Sequence, residues 1–295
     1  DDVGACRRPA RRPARLVLDD AAVAAGRAEQ SVDRLSNADR VRPRTPYHPA
    51  YVIYTSGSTV CRRGRGHAHR PGRVRGEQVE RYGIDSGSRT LHFASPSFDA
   101  SILELLMAFG AAATMVIAPT SIYGGQELTE LLASRHVSHA FVTPAALASV
   151  DPSALDALGV VVVGGEACPA DLVARWATGG RKMFNAYGPT EATVASNISD
   201  PLVPGEPVTI GRAIRGAGTY VLDARLRPVP AGVVGELYLE GAGLARGYHE
   251  RAGSRRSGSW PTRSACPARA CTGPVTSCAR PRTGCSSTSA APTTR

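Results

Sequence analysis

The chain has 295 residues, 42% of them hydrophobic, which is enough for a large core and for one or two domains. A net charge of +10 is typical of nucleic-acid-binding proteins. However, segments 1–15, 60–76 and 251–295 together carry a charge of +17, so the rest of the chain carries −7. A mildly acidic body argues against that class of function.

We expect no secretory signal, because Asp1 and Asp2 are soon followed by arginine and proline instead of an apolar core. We therefore expect a cytoplasmic location, with an irregular, disordered segment over 1–15. Apolar runs at 16–18 and 50–54 predict buried parallel strands. Residues 21–34 between them predict a helix or an irregular surface segment.

Strand and helix patterns then alternate along the chain. Strands are predicted over 90–94, 112–117, 140–142, 160–163 and 182–185, and helices over 77–82, 101–110, 128–135, 144–150 and 169–178. This alternation predicts an α/β fold, with a parallel sheet and flanking helices on both faces. The longest apolar stretch, 102–118, contains Glu104 and many small residues, so it falls short of a membrane-spanning helix and we expect no membrane partner.

From residue 205 the pattern changes. Strand-like runs at 219–222 and 235–239, separated by Gly-rich turns, predict antiparallel β structure. We therefore place an α/β subdomain over 16–200, disrupted at 60–76, and a β-rich subdomain over 201–250. Residues 251–295 are expected to be disordered.

Two motifs carry candidate chemistry. Residues 54–59 form a hydroxyl-rich Gly loop after a strand, which offers backbone N–H groups to phosphate oxygens. Residues 184–191 form a turn sequence that contains an aromatic ring, Tyr187, and a carboxylate, Glu191. The ring can stack on a purine, and the carboxylate can hold Mg²⁺ together with substrate phosphates.

Four stretches, in this order and spacing, resemble the adenylation domains of nonribosomal peptide synthetases: 50–59, 98–101, 185–191 and 235–248. The resemblance covers about residues 16–248. It implies a fragment of the large N-terminal lobe of an adenylate-forming enzyme, an α/β subdomain followed by a partial antiparallel β-barrel. It also implies activation of an amino acid with ATP to aminoacyl-AMP and pyrophosphate.

The resemblance implies that Asp99 pairs with the α-ammonium group of the substrate; the alternative role of Asp99 is an N-cap of the following helix. The other implied substrate-binding residues are apolar or small, which favours an aromatic or large aliphatic amino acid because a charged side chain would be left without a partner. The implied substrate pocket consists of Asp99, Ala100, Leu103, Phe141, Val162, Gly164, Ala186, Val194 and Ala195.

On the nucleotide side, the resemblance implies catalytic roles for Thr190, at the α-phosphate, and for Glu191, which would hold Mg²⁺. The implied cofactors are ATP, Mg²⁺ and the phosphopantetheine of a partner carrier domain; the implied partners are peptidyl carrier and condensation domains. The implied ATP-binding residues are Thr55, Ser56, Gly57, Ser58, Thr59, Gly165, Glu166, Ala186, Tyr187 and Gly188.

Two segments depart from the family pattern. Residues 60–64 stand where the family has Gly-x-Pro-Lys-Gly, which a shifted reading frame can encode. A single reading-frame offset allows both 256–262 and 272–295 to encode family sequence. In that frame, 272–295 can encode the family's next motif, whose aspartate grips the ribose hydroxyls. The alternative is a genuine Arg/Ser/Thr/Pro-rich tail. The single lysine, Lys182, matches neither the phosphate-loop lysine nor the C-terminal lysine, so we expect this chain to be inactive.

Three other interpretations stay open at this point. An acyl- or aryl-acid ligase of the same superfamily would have no use for the Asp99 carboxylate. A basic nucleic-acid-binding protein would need the three arginine-rich segments to be genuine and close together. The chain could also be a non-functional product of a damaged gene. The wide spacing of the tail cysteines lacks a zinc pattern, and no histidine indicates a metal site or a Ser-His-Asp triad.

Overall fold

The computed structural model describes residues 20–30, 33, 36, 38–40, 48–55, 63–68 and 72–245, together with three short strands at 265–267, 278–279 and 287–288. The strand predicted at 16–18 lies outside this range. Helix α1 spans Ala21–Ala28 and begins at Asp20, whose side chain accepts hydrogen bonds from the N–H groups of Ala22 and Val23.

Strand β1 (Tyr51–Thr55) pairs antiparallel with β2 (Arg63–Ala68) in a two-stranded sheet. The prediction that 50–54 forms a parallel strand is therefore wrong in direction. Only seven residues separate β1 from β2, and a parallel pair needs a crossover of a dozen or more. The partner strand also lies within the segment 60–76 that we expected to be disrupted.

The main body is a seven-stranded sheet with spatial order β4-β3-β5-β6-β7-β8-β9. Its first five strands are parallel, and the last two add antiparallel at one edge. The strands are β3 (Arg89–His92), β4 (Thr114–Ile117), β5 (His139–Val142), β6 (Val160–Gly164), β7 (Lys182–Tyr187), β8 (Asn197–Ile198) and β9 (Arg212–Ala213).

Helices cover both faces of this sheet: α2 (Gly72–Tyr82), α3 (Ala100–Gly110), α4 (Gly125–Ser134), α5 (Pro144–Ala148) and α6 (Ala170–Trp176). Strand β6 shows why both faces are needed. Val161 and Val163 pack into one cluster with residues of α4, α5 and α6, whereas Val160 and Val162 pack into a second with residues of α2 and α3. All five β6 residues are buried, as expected for a central parallel strand.

Antiparallel structure follows the sheet. Strand β10 (Ala217–Leu222) pairs with β11 (Glu236–Gly241), to which β12 (Ala265–Pro267) adds, and β13 (Cys278–Ala279) pairs with β14 (Ser287–Thr288). The predicted α/β fold class, with antiparallel structure after it, is confirmed. Because β9 still belongs to the main sheet, the subdomain boundary at 200 stays a prediction. Within the described residues, no helix has both the length and the hydropathy required to cross a membrane.

Candidate functional site

The candidate site lies at the carboxyl edge of the parallel strands. From β3 the chain passes to β4 on one side, and then to β5 on the other side of β3. Such a reversal of strand order opens a crevice beyond the carboxyl ends, where open α/β sheets bind ligands. The segments that follow β3, β6 and β7 contain Asp99, Gly165–Glu166 and Gly188–Glu191, so the topology brings three predicted parts of the site to one edge.

Asp99 immediately precedes α3, yet its side chain makes no capping hydrogen bond with the first turn of that helix. Asp99 therefore occupies the N-cap position of α3 without capping the helix through its side chain. The Oδ2 atom of Asp99 is buried without a hydrogen-bond partner. Burial raises the pKa of Asp99; a hydrogen bond with Thr190 and nearby backbone N–H groups lower it, and the charge of Glu191 raises it. The carboxylate thus has an unfilled position for a donor or a cation.

Tyr51 is a neighbour of Asp99 that the sequence analysis did not identify. Burial raises the pKa of Tyr51, and the negative charge of Asp99 raises it further. The Tyr51 hydroxyl is also buried without a hydrogen-bond partner. Two polar groups without partners therefore lie near each other beside the start of α3, which is typical of a polar ligand site.

The apolar residues predicted for the substrate pocket occupy one face of the sheet. They belong to the cluster beneath α3 and are almost fully buried, and Ala100 packs against it. The members of this pocket cluster are Leu103, Phe141, Val162, Ala186, Val194 and Ala195.

Gly164 packs closely against this cluster. A Cβ atom added there would lie 2.6 Å from the carbonyl oxygen of Ala186 and 3.1 Å from the ring of Phe141. Three residues assigned to the pocket from the sequence thus meet at the carboxyl end of β6: Gly164, Phe141 and Ala186. A side chain at 164 would clash with the other two.

The predicted nucleotide residues follow β6 and β7. Thr190 and Glu191 begin a 3-10 helix, Thr190–Ala192, and both are half-buried. Tyr187 is the last residue of β7 and packs against a cluster of Ala192, Ile210, Leu237 and Leu239. Gly165 has a φ of 85°, and Glu166 is exposed.

The phosphate loop is only partly described. Thr55 is the last residue of β1, and the predicted residues Ser56, Gly57, Ser58 and Thr59 lie outside the described residues. Gly188 packs against the backbone of residues 194–196. A Cβ added at Gly188 would lie 2.6 Å from the Val194 carbonyl oxygen and 2.8 Å from the Ser196 nitrogen.

The turn after Glu191 has an uncommon backbone. Thr193 and Val194 have φ values of 59° and 67°, a left-handed conformation that is costly for β-branched residues and concentrates at functional sites. The turn is held from the β-rich side, because the Thr193 hydroxyl donates to the Gly243 carbonyl and the Ala245 N–H donates to the Glu191 carbonyl at 2.7 Å. Sequence reasoning missed this role of Thr193, since β-branched residues carry no signal for left-handed backbone.

Few of the described residues could bind a metal ion or act as a thiol nucleophile. In the described part of the chain, no group of three or more His, Cys, Asp or Glu side chains could hold an ion. The single carboxylate of Glu191 still fits Mg²⁺, which is commonly held by one or two carboxylates plus substrate phosphates. Burial raises the pKa of the Cys168 thiol to about 11, so that thiol is not a reactive nucleophile. Lys182 is exposed at the start of β7, away from the carboxyl edge.

The sequence is similar to a known protein family and to individual proteins. Residues 4–249 match the protein family described as AMP-binding enzyme. The chain is 49% identical over 216 residues to novobiocin biosynthesis protein H of Streptomyces niveus, covering 72% of this chain and 36% of that protein. It is 47% identical over 251 residues to CymA of Salinispora arenicola, a probable non-canonical nonribosomal peptide synthetase, covering 80% of this chain and 3% of that protein.

A solved structure is similar as well. PA1221, a nonribosomal peptide synthetase protein containing adenylation and PCP domains, matches with a TM-score of 0.67 and 25% identity, over 81% of this chain and 45% of that chain. This chain therefore spans about a third of the first relative and a small part of the second.

Proposed function

Because this chain belongs to the AMP-binding enzyme family, among the adenylation domains of nonribosomal peptide synthetases, we propose that its site is built to activate a hydrophobic amino acid with ATP. A carboxylate oxygen of the amino acid attacks the α-phosphorus and forms a new O–P bond. The bond from that phosphorus to the bridging oxygen breaks, and pyrophosphate leaves with the electron pair. Catalysis of this kind rests on positioning and charge stabilisation.

The observation that carries the proposal is the unpartnered carboxylate oxygen of Asp99. A buried carboxylate without a cation is costly, and the α-ammonium of an amino acid is a cation of the right charge and size. Thr190 contacts the same carboxylate. An ammonium at Asp99 would therefore lie next to the residue that we assign to the α-phosphate, which brings the two reacting groups together.

The choice of a hydrophobic side chain follows from the pocket cluster. Apart from Asp99, the assigned residues offer no side-chain donor or acceptor, so a charged or strongly polar substrate would lose its hydration without compensation. Gly164, Ala186 and Ala195 in the assigned pocket carry a hydrogen or a single methyl group as their side chain. We therefore assign the pocket to a bulky aliphatic or aromatic substrate side chain.

We assign the nucleotide to the segments that follow β1, β6 and β7. Glu191 would hold Mg²⁺, which would neutralise phosphate charge during the reaction. Tyr187 with Ala186 and Gly188 would line the adenine, and 55–59 would wrap the outer phosphates through backbone N–H groups. The activated amino acid would pass to the phosphopantetheine of a peptidyl carrier domain, with a condensation domain next in order.

We also propose that this chain by itself does not catalyse the reaction. Its one lysine, Lys182, is exposed on β7 and does not match the phosphate-loop lysine implied by the family, and residues 272–295 contain no aspartate to grip the ribose. Each of these groups supplies charge or position in the transition state.

Amino-acid-dependent exchange of pyrophosphate into ATP tests both statements. The chain as printed should give no exchange above a control without amino acid. A version with the reading frame restored over 60–76 and 251–295, and with the C-terminal lobe supplied, should exchange with leucine, isoleucine or phenylalanine but not with lysine, aspartate or glutamate. Preference for a charged amino acid, or for an acid that lacks an amino group, contradicts the substrate assignment.

A further inference from the structure

The helix that follows Asp99 contains a buried carboxyl group that no predicted role uses. Glu104 lies on α3 and is fully buried, with 0% of its surface exposed. It sits in a helix that is otherwise rich in apolar residues. A buried ionisable side chain is costly unless it has hydrogen-bond partners, so the contacts of Glu104 indicate its role.

Those contacts are with the backbone that follows β3. The Oε2 atom of Glu104 accepts a hydrogen bond from the N–H of Phe93 at 3.0 Å, and its Oε1 and Oε2 atoms lie 3.0 and 3.1 Å from the N–H of Ala94. Phe93 and Ala94 are the first two residues beyond the end of β3. At this point the strand order reverses and the crevice opens.

His92 adds a third contact from the end of β3. Its Nδ1 atom lies 2.8 Å from Oε2 of Glu104, although the angle does not make an aligned hydrogen bond. Burial lowers the pKa of His92 and raises the pKa of Glu104 to about 8. Within the described part of the chain, His92 is the titratable side chain that faces this carboxyl group, and the other groups on it are backbone N–H.

We propose that Glu104 is a positioning residue for Asp99: its carboxyl group holds the N–H groups of Phe93 and Ala94 and so fixes the short segment 94–99 on α3. The segment is anchored at both ends. Its start is held by Glu104, and its end enters α3 five residues before Glu104. The unpartnered Oδ2 of Asp99 thereby keeps its direction. The assignment of Asp99 to an ammonium group rests on the proposed function, but the anchoring does not.

Hydrogen exchange and titration on the full chain test this role. In the unsubstituted chain, the Phe93 and Ala94 amides should exchange as slowly as amides within β3, although they lie beyond its last residue. Glu104→Gln keeps the size of the side chain but replaces one of its two acceptor oxygens with an NH2 group, which can only donate. We expect exchange at one or both amides to rise at least tenfold, while Val161–Val163 in β6 stay unchanged.

The same variant should bring the pKa of Asp99, followed by carboxyl NMR, closer to its ordinary value because the loosened segment admits water. Glu127→Gln, on the exposed face of α4, is the matched control and should change neither measurement. Rapid exchange of the two amides in the unsubstituted chain overturns the proposal even if the variant fails to fold. Unchanged exchange and an unchanged Asp99 titration in Glu104→Gln also overturn it, whereas preference of the frame-restored enzyme for a charged amino acid would contradict the proposed function alone.

Discussion

The hydroxyl of Thr193 donates a hydrogen bond to the carbonyl oxygen of Gly243, and this contact joins two motifs that lie 50 residues apart. Thr193 belongs to the turn after Glu191, and Gly243 follows β11 in the antiparallel sheet. Thr193 is nearly fully buried and holds a left-handed backbone. The position of Glu191 therefore depends on a contact from the β-rich part of the chain.

Thr193→Val should destabilise the chain while Thr193→Ser should not. Valine has the shape of threonine but leaves the Gly243 carbonyl without its donor, and loss of a partner for a buried polar group costs about 1–3 kcal/mol. Serine keeps the hydroxyl. Chemical denaturation of the two variants measures the difference. Equal free energies of unfolding would show that the hydrogen bond does not hold the turn.

Gly164→Ala should also destabilise the chain. Its Cβ would meet the Ala186 carbonyl oxygen at 2.6 Å and the Phe141 ring at 3.1 Å, and overpacking of this kind costs about 1–3 kcal/mol. Gly159→Ala, just before β6, is the matched control, because nothing lies within 4 Å of a Cβ there.

Thermal or chemical unfolding of both glycine variants decides this prediction. A Gly164→Ala chain as stable as the Gly159→Ala chain would mean that the pocket cluster has room at this point, and that the narrowing between Phe141 and Ala186 is absent.

Glu104 should make the free energy of unfolding depend on pH. Burial raises its pKa to about 8 in the folded chain, above the ordinary value of 4.5. Between these values the folded chain keeps a proton that the unfolded chain has released, so this group's contribution to stability falls as pH rises and is constant above about 8. The slope is up to about 1.4 kcal/mol per pH unit.

Between pH 6.5 and pH 8, the contribution of Glu104 can be separated from that of His92. Burial lowers the pKa of His92 below its value of 6.5, so its own contribution is lost only as pH falls below that value. We expect the free energy of unfolding of the unsubstituted chain, relative to Glu104→Gln, to decrease from pH 6.5 to pH 8. A difference that stays constant or rises across this window contradicts the raised pKa.

Much of the fold could be predicted from local pattern. The run at 160–163 consists of four valines between Gly159 and Gly164 and becomes β6, and the run at 182–185, with Met183 and Phe184 at its centre, becomes β7. The direction of β1 was predicted wrongly because an apolar run alone does not show which partner it will have. Its partner β2 is rich in Gly and Arg, and such a composition carries no strand signal.

Motifs fix the positions of Asp99 and Thr190 along the chain, and the structure places these two residues in contact; their roles stay predictions. Tyr51, Thr193 and Glu104 were not assigned, because their roles depend on contacts with segments far away in sequence. Glu104 did carry a signal, since a lone carboxylate within the apolar stretch 102–118 must find a buried partner. Its partner is the backbone after β3, which local sequence does not reveal.

The central claim is that Asp99 holds the ammonium group of an amino acid, and the Asp99→Ala variant of the frame-restored enzyme tests it most directly. Removal of one partner of a buried ion pair costs about 3–5 kcal/mol, which corresponds to a loss of about two to three and a half powers of ten in kcat/KM for amino-acid-dependent exchange. Asp171→Ala, at an exposed position on α6, serves as the control and should behave like the parent. If Asp99→Ala activates amino acids as fast as the parent, the ammonium group lies elsewhere and the pocket has been misplaced.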